Sequence, residues 1–190
     1  SKHFASSPEK IILNVGRLEK QKDQITLVKA FSKVLKVYPE WLLHIVGSGS
    51  LDAPLKSLVS FLKIEDNVIF LGNTKDIESE YRKASIFVNS ARYESFGLVT
   101  AEAMSFSLPC IGFADCPGTN DLIKHGYSGY LVPPYKDRVN ALSCVLIDVI
   151  NNPHHASLLG RNARDAISSN YSLGEVVIKW ENLLSLTAKK

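Results

Sequence analysis

Two glutamates eight positions apart frame the stretch with the densest polar chemistry, Ala91-Arg92-Tyr93-Glu94-Ser95-Phe96-Gly97-Leu98-Val99-Thr100-Ala101-Glu102-Ala103-Met104. The pattern predicts a helix over about 97–105, which puts Glu94 ahead of it and Glu102 about a turn and a half inside. The amides of Phe96 to Val99 then form an open helix N-terminus, and free N–H groups aligned with the helix dipole make an anion site. A carboxylate such as Glu102 can accept two hydrogen bonds at once, which suits a ribose diol beside that anion. Two carboxylates could instead serve as the acid and base of a glycosidase. On one continuous helix, however, they would lie ~12 Å apart at ~1.5 Å per residue, beyond the ~5–9.5 Å such pairs need. Taken singly, Glu94 reads equally well as a capping acid and Glu102 as a surface acid.

A second loop, Gly16-Arg17-Leu18-Glu19-Lys20-Gln21-Lys22-Asp23, lies between a strand and a helix. Gly16 permits a tight exit from the strand, Asp23 is placed to cap the helix, and Arg17 and Lys22 can converge on an anion. A guanidinium fork and an ammonium point charge together suit a diphosphate, although a solvated basic loop has the same composition. A third loop, Val46-Gly47-Ser48-Gly49-Ser50, carries two glycines. It lacks the third glycine of the dinucleotide fingerprint, and no acid stands at the end of the next strand. Nicotinamide chemistry is therefore disfavoured, and the glycines also read as room for a tight turn.

These loops need a scaffold that brings them together, and the rest of the sequence describes one. Apolar runs at 10–15, 41–46, 67–71, 85–89, 108–113 and 129–132 alternate with amphipathic stretches at 23–37, 51–62, 77–83, 97–105 and a short one near Asn120. Strands apolar on both faces and interleaved with helices predict an α/β fold, a Rossmann-like parallel sheet of about six strands with helices on both faces. Leu27, Val28, Phe31, Val34 and Leu35 share one face of the first helix, and Pro39 stops it. Only helices come after Pro133 and Pro134: 138–151, 154–169 after a break at Pro153, and 173–184. The expected organisation is a linker over 1–9, a Rossmann-like domain over 10–170, and a crossover helix and tail over 171–190. In such a sheet ligands bind at the carboxyl ends of the strands, so the loops after Val15, Val46, Leu71, Asn89 and Phe113 are the ones to inspect.

Bulk properties exclude several classes. With 190 residues, 45% hydrophobic and 22% charged, the chain is sized for one ordinary domain and reads neither as disordered nor as fibrous. The 22 Lys+Arg against 19 Asp+Glu form no basic excess that would imply nucleic acid. Cys110, Cys116 and Cys144 are odd in number and widely spaced, a pattern of neither disulfides nor zinc, which points to a cytoplasmic setting. No apolar run is long enough to span a membrane, so any membrane contact, at the inner face, is peripheral. Asp76-Ile77-Glu78 faintly echoes an acidic metal motif, but acids in a helix's first turn already have a reason to be there, and no metal or cofactor is assigned. His154 and His155 read as a solvated first turn, and Met104 and Phe106 as core.

In order, the Gly-Arg-Leu-x-x-x-Lys loop, the Val-Gly-x-Gly turn, Val68-Ile69-Phe70-Leu71-Gly72 and the Glu94-to-Glu102 motif with its Phe-Gly centre resemble the C-terminal domain of the retaining GT-B glycosyltransferases, glycosyl transferases group 1. The segment Gly118 to Val132 resembles the next stretch of that family's domain, and the resemblance covers about 10–184. It implies that Gly16, Arg17 and Lys22 hold the donor diphosphate, that Glu102 holds the nucleoside ribose, and that Glu94 holds hydroxyls of the transferred sugar. Backbone groups at Ser95, Phe96, Gly97, Leu98 and Val99 would hold sugar and phosphate. Glu94, Arg17 and Lys22 are thereby the expected catalytic residues, and a nucleotide diphosphate sugar, a UDP-sugar ahead of a GDP-sugar, the expected substrate. The acceptor, a glycan or lipid-linked glycan of bacterial surface polysaccharide, would be bound by an N-terminal domain that this sequence lacks. One departure stands out: the family's two glycines and Pro-Glu are replaced by Cys116-Pro117-Gly118-Thr119-Asn120-Asp121. A non-catalytic nucleotide-sugar-binding module and a nucleotide-sugar epimerase of the same fold remain as alternatives.

Overall fold

A computed structural model describes residues 9–187, and in it all six apolar runs become strands: β1 (Ile11–Val15), β2 (Leu42–Val46), β3 (Val68–Gly72), β4 (Ile86–Val88), β5 (Cys110–Phe113) and β6 (Gly129–Val132). The helices between and after them are α1 (Gln24–Val34), α2 (Asp52–Leu62), α3 (Ile77–Lys83), α4 (Leu98–Ser105), α5 (Thr119–Leu122), α6 (Arg138–Asn151), α7 (Pro153–Tyr171) and α8 (Leu173–Thr187). The linker expected at 1–9 lies outside the described residues apart from Glu9, as do residues 188–190 of the tail. Every described pairing is parallel, and the strand order is β3-β2-β1-β4-β5-β6. This is the Rossmann-like sheet the alternation predicts, with its order reversing between β1 and β4.

Side chains alternate across each strand, and both sets are buried. Ile12, Leu43, Ile45, Val88, Ile111 and Phe113 face a layer built from Leu27, Phe31 and Val34 of α1, Leu55 of α2, and Leu142 and Leu146 of α6. Ile11, Leu13, Phe87 and Cys110 face Tyr81 of α3, Ala103 and Met104 of α4, and Ala163 of α7. Phe31 is fully buried, so its truncation to alanine should cost about 3–5 kcal/mol. One polar pair is embedded in the second layer. His44 of β2 meets Glu80 of α3, Nδ1 to Oε2 at 2.7 Å, and Lys83 reaches the other carboxylate oxygen at 3.1 Å.

The element ends differ from the sequence reading for local reasons. Helix α1 stops at Val34 rather than running to Val37, because the residue before Pro39 is disfavoured in the helical region and the chain turns early. Pro109 has no N–H for a ladder, and β5 begins only at Cys110. Pro153 is not a break but the first residue of α7, where its missing N–H costs nothing.

Candidate functional site

Because the strand order reverses between β1 and β4, the loops after them leave toward opposite faces and open a crevice at the carboxyl edge. These two loops meet there and are tied together along their length. The Arg92 amide donates to the Gln21 carbonyl at 2.9 Å, Gln21 Nε2 to the Tyr93 carbonyl at 2.8 Å, and Ser90 Oγ to the Lys22 carbonyl at 2.7 Å. Arg92 also pairs with Asp23 at 2.9 Å. Lys22 and Glu94, one from each loop and both largely buried, form an ion pair across this seam. The candidate cation and the candidate acid are thus held as one unit.

Asp23 does not cap α1 as its position suggests. It occupies the N-cap site in a left-handed conformation, φ 48°, and its side chain makes no capping bond. An aspartate tolerates that conformation, and its Oδ1 instead accepts from the Thr26 hydroxyl at 2.9 Å. Arg17 and Lys22 do not converge on one point either. Lys22 turns its ammonium to Glu94 while its stem crosses Gly16, 3.6 Å from where a Cβ would stand. Arg17 stays exposed at the rim of a neighbouring cleft of about 570 Å³ lined by Gly16, Arg17, Glu19, Gly47, Ser48, Asn73 and Thr74.

The two glycines of the loop after β2 have a specific reason to be there. A Cβ at Gly47 would stand 2.0 Å from the Gly16 carbonyl oxygen, and one at Gly49 2.4 Å from that of Leu18. Their bareness lets the loops after β1 and β2 stack backbone on backbone, secured by Leu18 N–H to the Ser48 carbonyl and Leu51 N–H to the Leu18 carbonyl. Glu19 adds two bonds to Ser50, from its amide at 3.1 Å and its hydroxyl at 2.7 Å. Those two donors, with Arg17 nearby, hold the Glu19 carboxyl below its usual range.

At the start of α4, among the described residues, no protein acceptor takes the amides of Phe96, Gly97, Leu98 or Val99. Phe96 is 37% exposed and Leu98 68%, and the Phe96 ring meets Tyr171 at the end of α7 edge-on, centroids 5.3 Å apart. Glu94 sits against a buried amide, Asn89, whose Nδ2 lies 3.4 Å from Glu94 Oε1, 3.0 Å from Thr100 Oγ1 and 3.1 Å from Thr119 Oγ1. Glu102, exposed on α4, turns toward α3, where Tyr81 donates its hydroxyl to Oε2 at 2.8 Å. The two glutamates therefore face different partners, an arrangement foreign to an acid–base couple sharing one bond.

The departure at residues 116–121 also acquires an account. A Cβ at Gly118 would fall 2.6 Å from the Glu94 carbonyl oxygen, so this loop lies directly on the Glu94 backbone. Asp121 accepts from the Gly118 amide at 3.3 Å, a local turn-closing bond. Asn73, Thr74, Tyr81 and Asn89 are the neighbours that residue-by-residue reading missed. Asn73 and Thr74 lie in the loop after Leu71, one of those marked for inspection, whereas nothing in spacing links Tyr81 to Glu102 across 21 positions. Among the described residues no group of three or more His, Cys, Asp or Glu is placed to hold a metal ion. A larger cavity, about 700 Å³, opens at the amino ends of the strands, lined by Trp41, Phe106, Leu108 and Pro109 among others. Of these groups only Tyr81 also lines it.

Comparison with known proteins bears on this geometry. The family model of glycosyl transferases group 1 matches residues 1–166. An uncharacterized glycosyltransferase of Haemophilus influenzae is 33% identical over 181 residues, 95% of this chain and 50% of the relative. Staphylococcus aureus TarM, in a mutant crystallised with fondaparinux, alpha-GlcNAc-glycerol and UDP, superimposes with a TM-score of 0.87 at 28% identity, over 96% of this chain and 36% of that one. The pneumococcal O-GlcNAc transferase GtfA, crystallised with UDP and GlcNAc, gives 0.86 at 25% identity, over 98% and 38%. The chain thus spans about half the length of the curated relative and less of the two crystallised proteins.

Proposed function

The chain belongs to the glycosyl transferases group 1 family, and from that premise we propose that it is the donor-binding half of a retaining GT-B glycosyltransferase. It takes a hexose from a nucleotide diphosphate sugar and passes it to a glycan or lipid-linked acceptor bound by a second, N-terminal domain. The observation that carries the reading is the single unit formed by the loops after β1 and β4. It joins Lys22 to Glu94 beside the unpartnered amides at the start of α4. The UDP held by TarM and GtfA supports a UDP-sugar as donor, and surface polysaccharide synthesis in bacteria as the setting, at the cytoplasmic side of the membrane.

In this scheme the bond between the anomeric carbon and the diphosphate oxygen breaks, and negative charge grows on the diphosphate. Gly16, Arg17, Lys22 and the amides of Phe96 to Val99 stabilise that charge by being in place beforehand, without a metal ion. The acceptor hydroxyl bonds to the anomeric carbon on the face the diphosphate leaves, and its proton passes to a diphosphate oxygen. Glu94, with Ser95 and Leu98 beside it, holds sugar hydroxyls and sets their orientation, while Glu102 holds the ribose diol. Titration calorimetry of the chain with UDP, GDP, ADP and their sugars, with and without chelator, tests the reading. UDP and a UDP-sugar should bind, with affinity unchanged by chelator. Loss of binding on chelation would contradict the metal-free scheme, and binding of none of the nucleotides would contradict the whole.

A further inference from the structure

Glu102 is an exposed glutamate on α4, a side chain that would ordinarily sample several rotamers. What restrains it comes from a different element. Tyr81 is buried to within 1% on α3, its ring stacked on Phe106 with centroids 5.2 Å apart and 16° between planes, and braced by Phe87 at 6.2 Å. Its hydroxyl reaches out of this apolar setting to α4. It has one proton to donate and two acceptors within reach, Glu102 Oε2 at 2.8 Å and the Val99 carbonyl at 3.3 Å. The shorter contact is to the charged acceptor, which forms the stronger bond.

We propose that Tyr81 is a positioning residue for the donor site, fixing the Glu102 carboxylate in the one orientation from which it can receive both hydroxyls of a ribose. The proposal rests on the assignment of Glu102 to the ribose made above. A carboxylate offers about four lone-pair directions. Tyr81 occupies one on Oε2 and leaves Oε1 and the remainder to a vicinal diol. Burial, and then the Glu102 carboxylate itself, hold the Tyr81 phenol above its ordinary range, so it stays a donor across the working pH range. The same bond ties α3 to α4, the helices that come after β3 and β4, so that the ribose contact is registered against the loop carrying Asn73 and Thr74.

The test compares ribose and 2′,3′-dideoxyribose forms of UDP, GDP and ADP by calorimetry on the full chain. Immobilising one rotamer-rich side chain on binding costs enough that Tyr81→Phe should weaken the ribose form roughly 3- to 10-fold. It should leave the dideoxy form unchanged, and Tyr81→Phe should add nothing in a Glu102→Ala background. Equal weakening of both forms, or of neither, overturns the proposal. A ribose preference abolished by Glu102→Ala but intact in Tyr81→Phe overturns the positioning role alone. A preference that survives Glu102→Ala refutes the Glu102 assignment, and the positioning role with it. Should Tyr81→Phe fold poorly, carbon-13 labelling at tyrosine Cζ gives a readout in the unaltered chain. One tyrosine signal should move in Glu102→Gln and on adding the ribose nucleotide but not the dideoxy one, and the absence of any such signal overturns the proposal.

Discussion

Lys22 and Glu94 neutralise each other in a largely buried seam, and the two glutamates of the motif sit in unlike surroundings. That separates their expected effects. Glu102→Ala removes a charged acceptor of hydroxyls and should weaken nucleoside diphosphate binding by about 1.5–3 kcal/mol, whether or not a sugar is attached. Glu94→Ala should weaken the intact nucleotide sugar far more than the bare nucleotide, because its proposed contacts are to the sugar. Calorimetry with both ligands on both variants decides the matter, and equal losses in all four titrations would contradict the assignment. Lys22→Met carries a second signature, since it leaves Glu94 as a buried carboxylate without its cation. Breaking one side of such a pair is more destructive than removing both. Thermal unfolding should therefore show Lys22→Met less stable than Lys22→Met combined with Glu94→Gln.

The elements explain why those residues meet, and the loop after β2 offers the cleanest check. Gly49→Ala would force a Cβ to within 2.4 Å of a backbone oxygen, whereas a Cβ at Gly174 in α8 would meet nothing within 4 Å. Gly49→Ala should lower the unfolding midpoint and weaken nucleotide binding. Gly174→Ala should be neutral or stabilising by up to about 1 kcal/mol. The burial of Glu80 against β2 opposes its ionisation, but the bonds from His44 and Lys83 outweigh this and hold its carboxyl below the usual range. A carboxyl depressed by folding contributes stability above its unfolded pKa and loses it as pH falls through the folded one. Denaturant unfolding from neutral to acidic pH should thus show a decline below the normal carboxylate range that Glu80→Gln flattens. The sheet and its helices were legible because both strand faces are apolar and α1 repeats every three to four residues. The Glu94-to-Glu102 loop was legible because a helix N-terminus flanked by two acids is a local feature, although the partners of those acids, Lys22 and Tyr81, lie far along the sequence. Tyr81, Asn89 and the purpose of Gly47 and Gly49 were not, since each acts on a partner from another element and no local period records such a meeting. Asp23 misled because a helix-start aspartate has two uses, and the tertiary pull of Arg92 and Thr26 selected the less common one.

At the scale of the whole molecule, the last helix of the described chain carries an exposed apolar stripe. Leu173, Val177, Trp180 and Leu184 recur along one side of α8 and are 81%, 43%, 60% and 61% exposed. An apolar stripe of that kind, on a helix whose described packing is chiefly against α7, is a surface suited to another domain. The chain covers 50% of its Haemophilus influenzae relative, and in the proposed scheme a second domain binds the acceptor. Holding two reactants in line is worth about 7–11 kcal/mol of a barrier, and in that scheme this chain binds only the donor. The purified 190-residue chain should therefore bind a UDP-sugar through Arg17, Lys22 and the amides of Phe96 to Val99 yet transfer no sugar to any acceptor, with slow donor hydrolysis as its only turnover. A radiolabelled-donor assay against glycan and lipid-linked acceptors, run beside a calorimetric titration, measures both halves of the statement. Robust transfer by the chain alone would show that the acceptor site lies within it. Covering the α8 stripe should obey the same logic, so replacing Trp180 with glutamate should leave donor affinity unchanged in the isolated chain and reduce transfer once the N-terminal half is present. A Trp180→Glu variant that transfers normally in the two-domain protein would remove α8 from the interface.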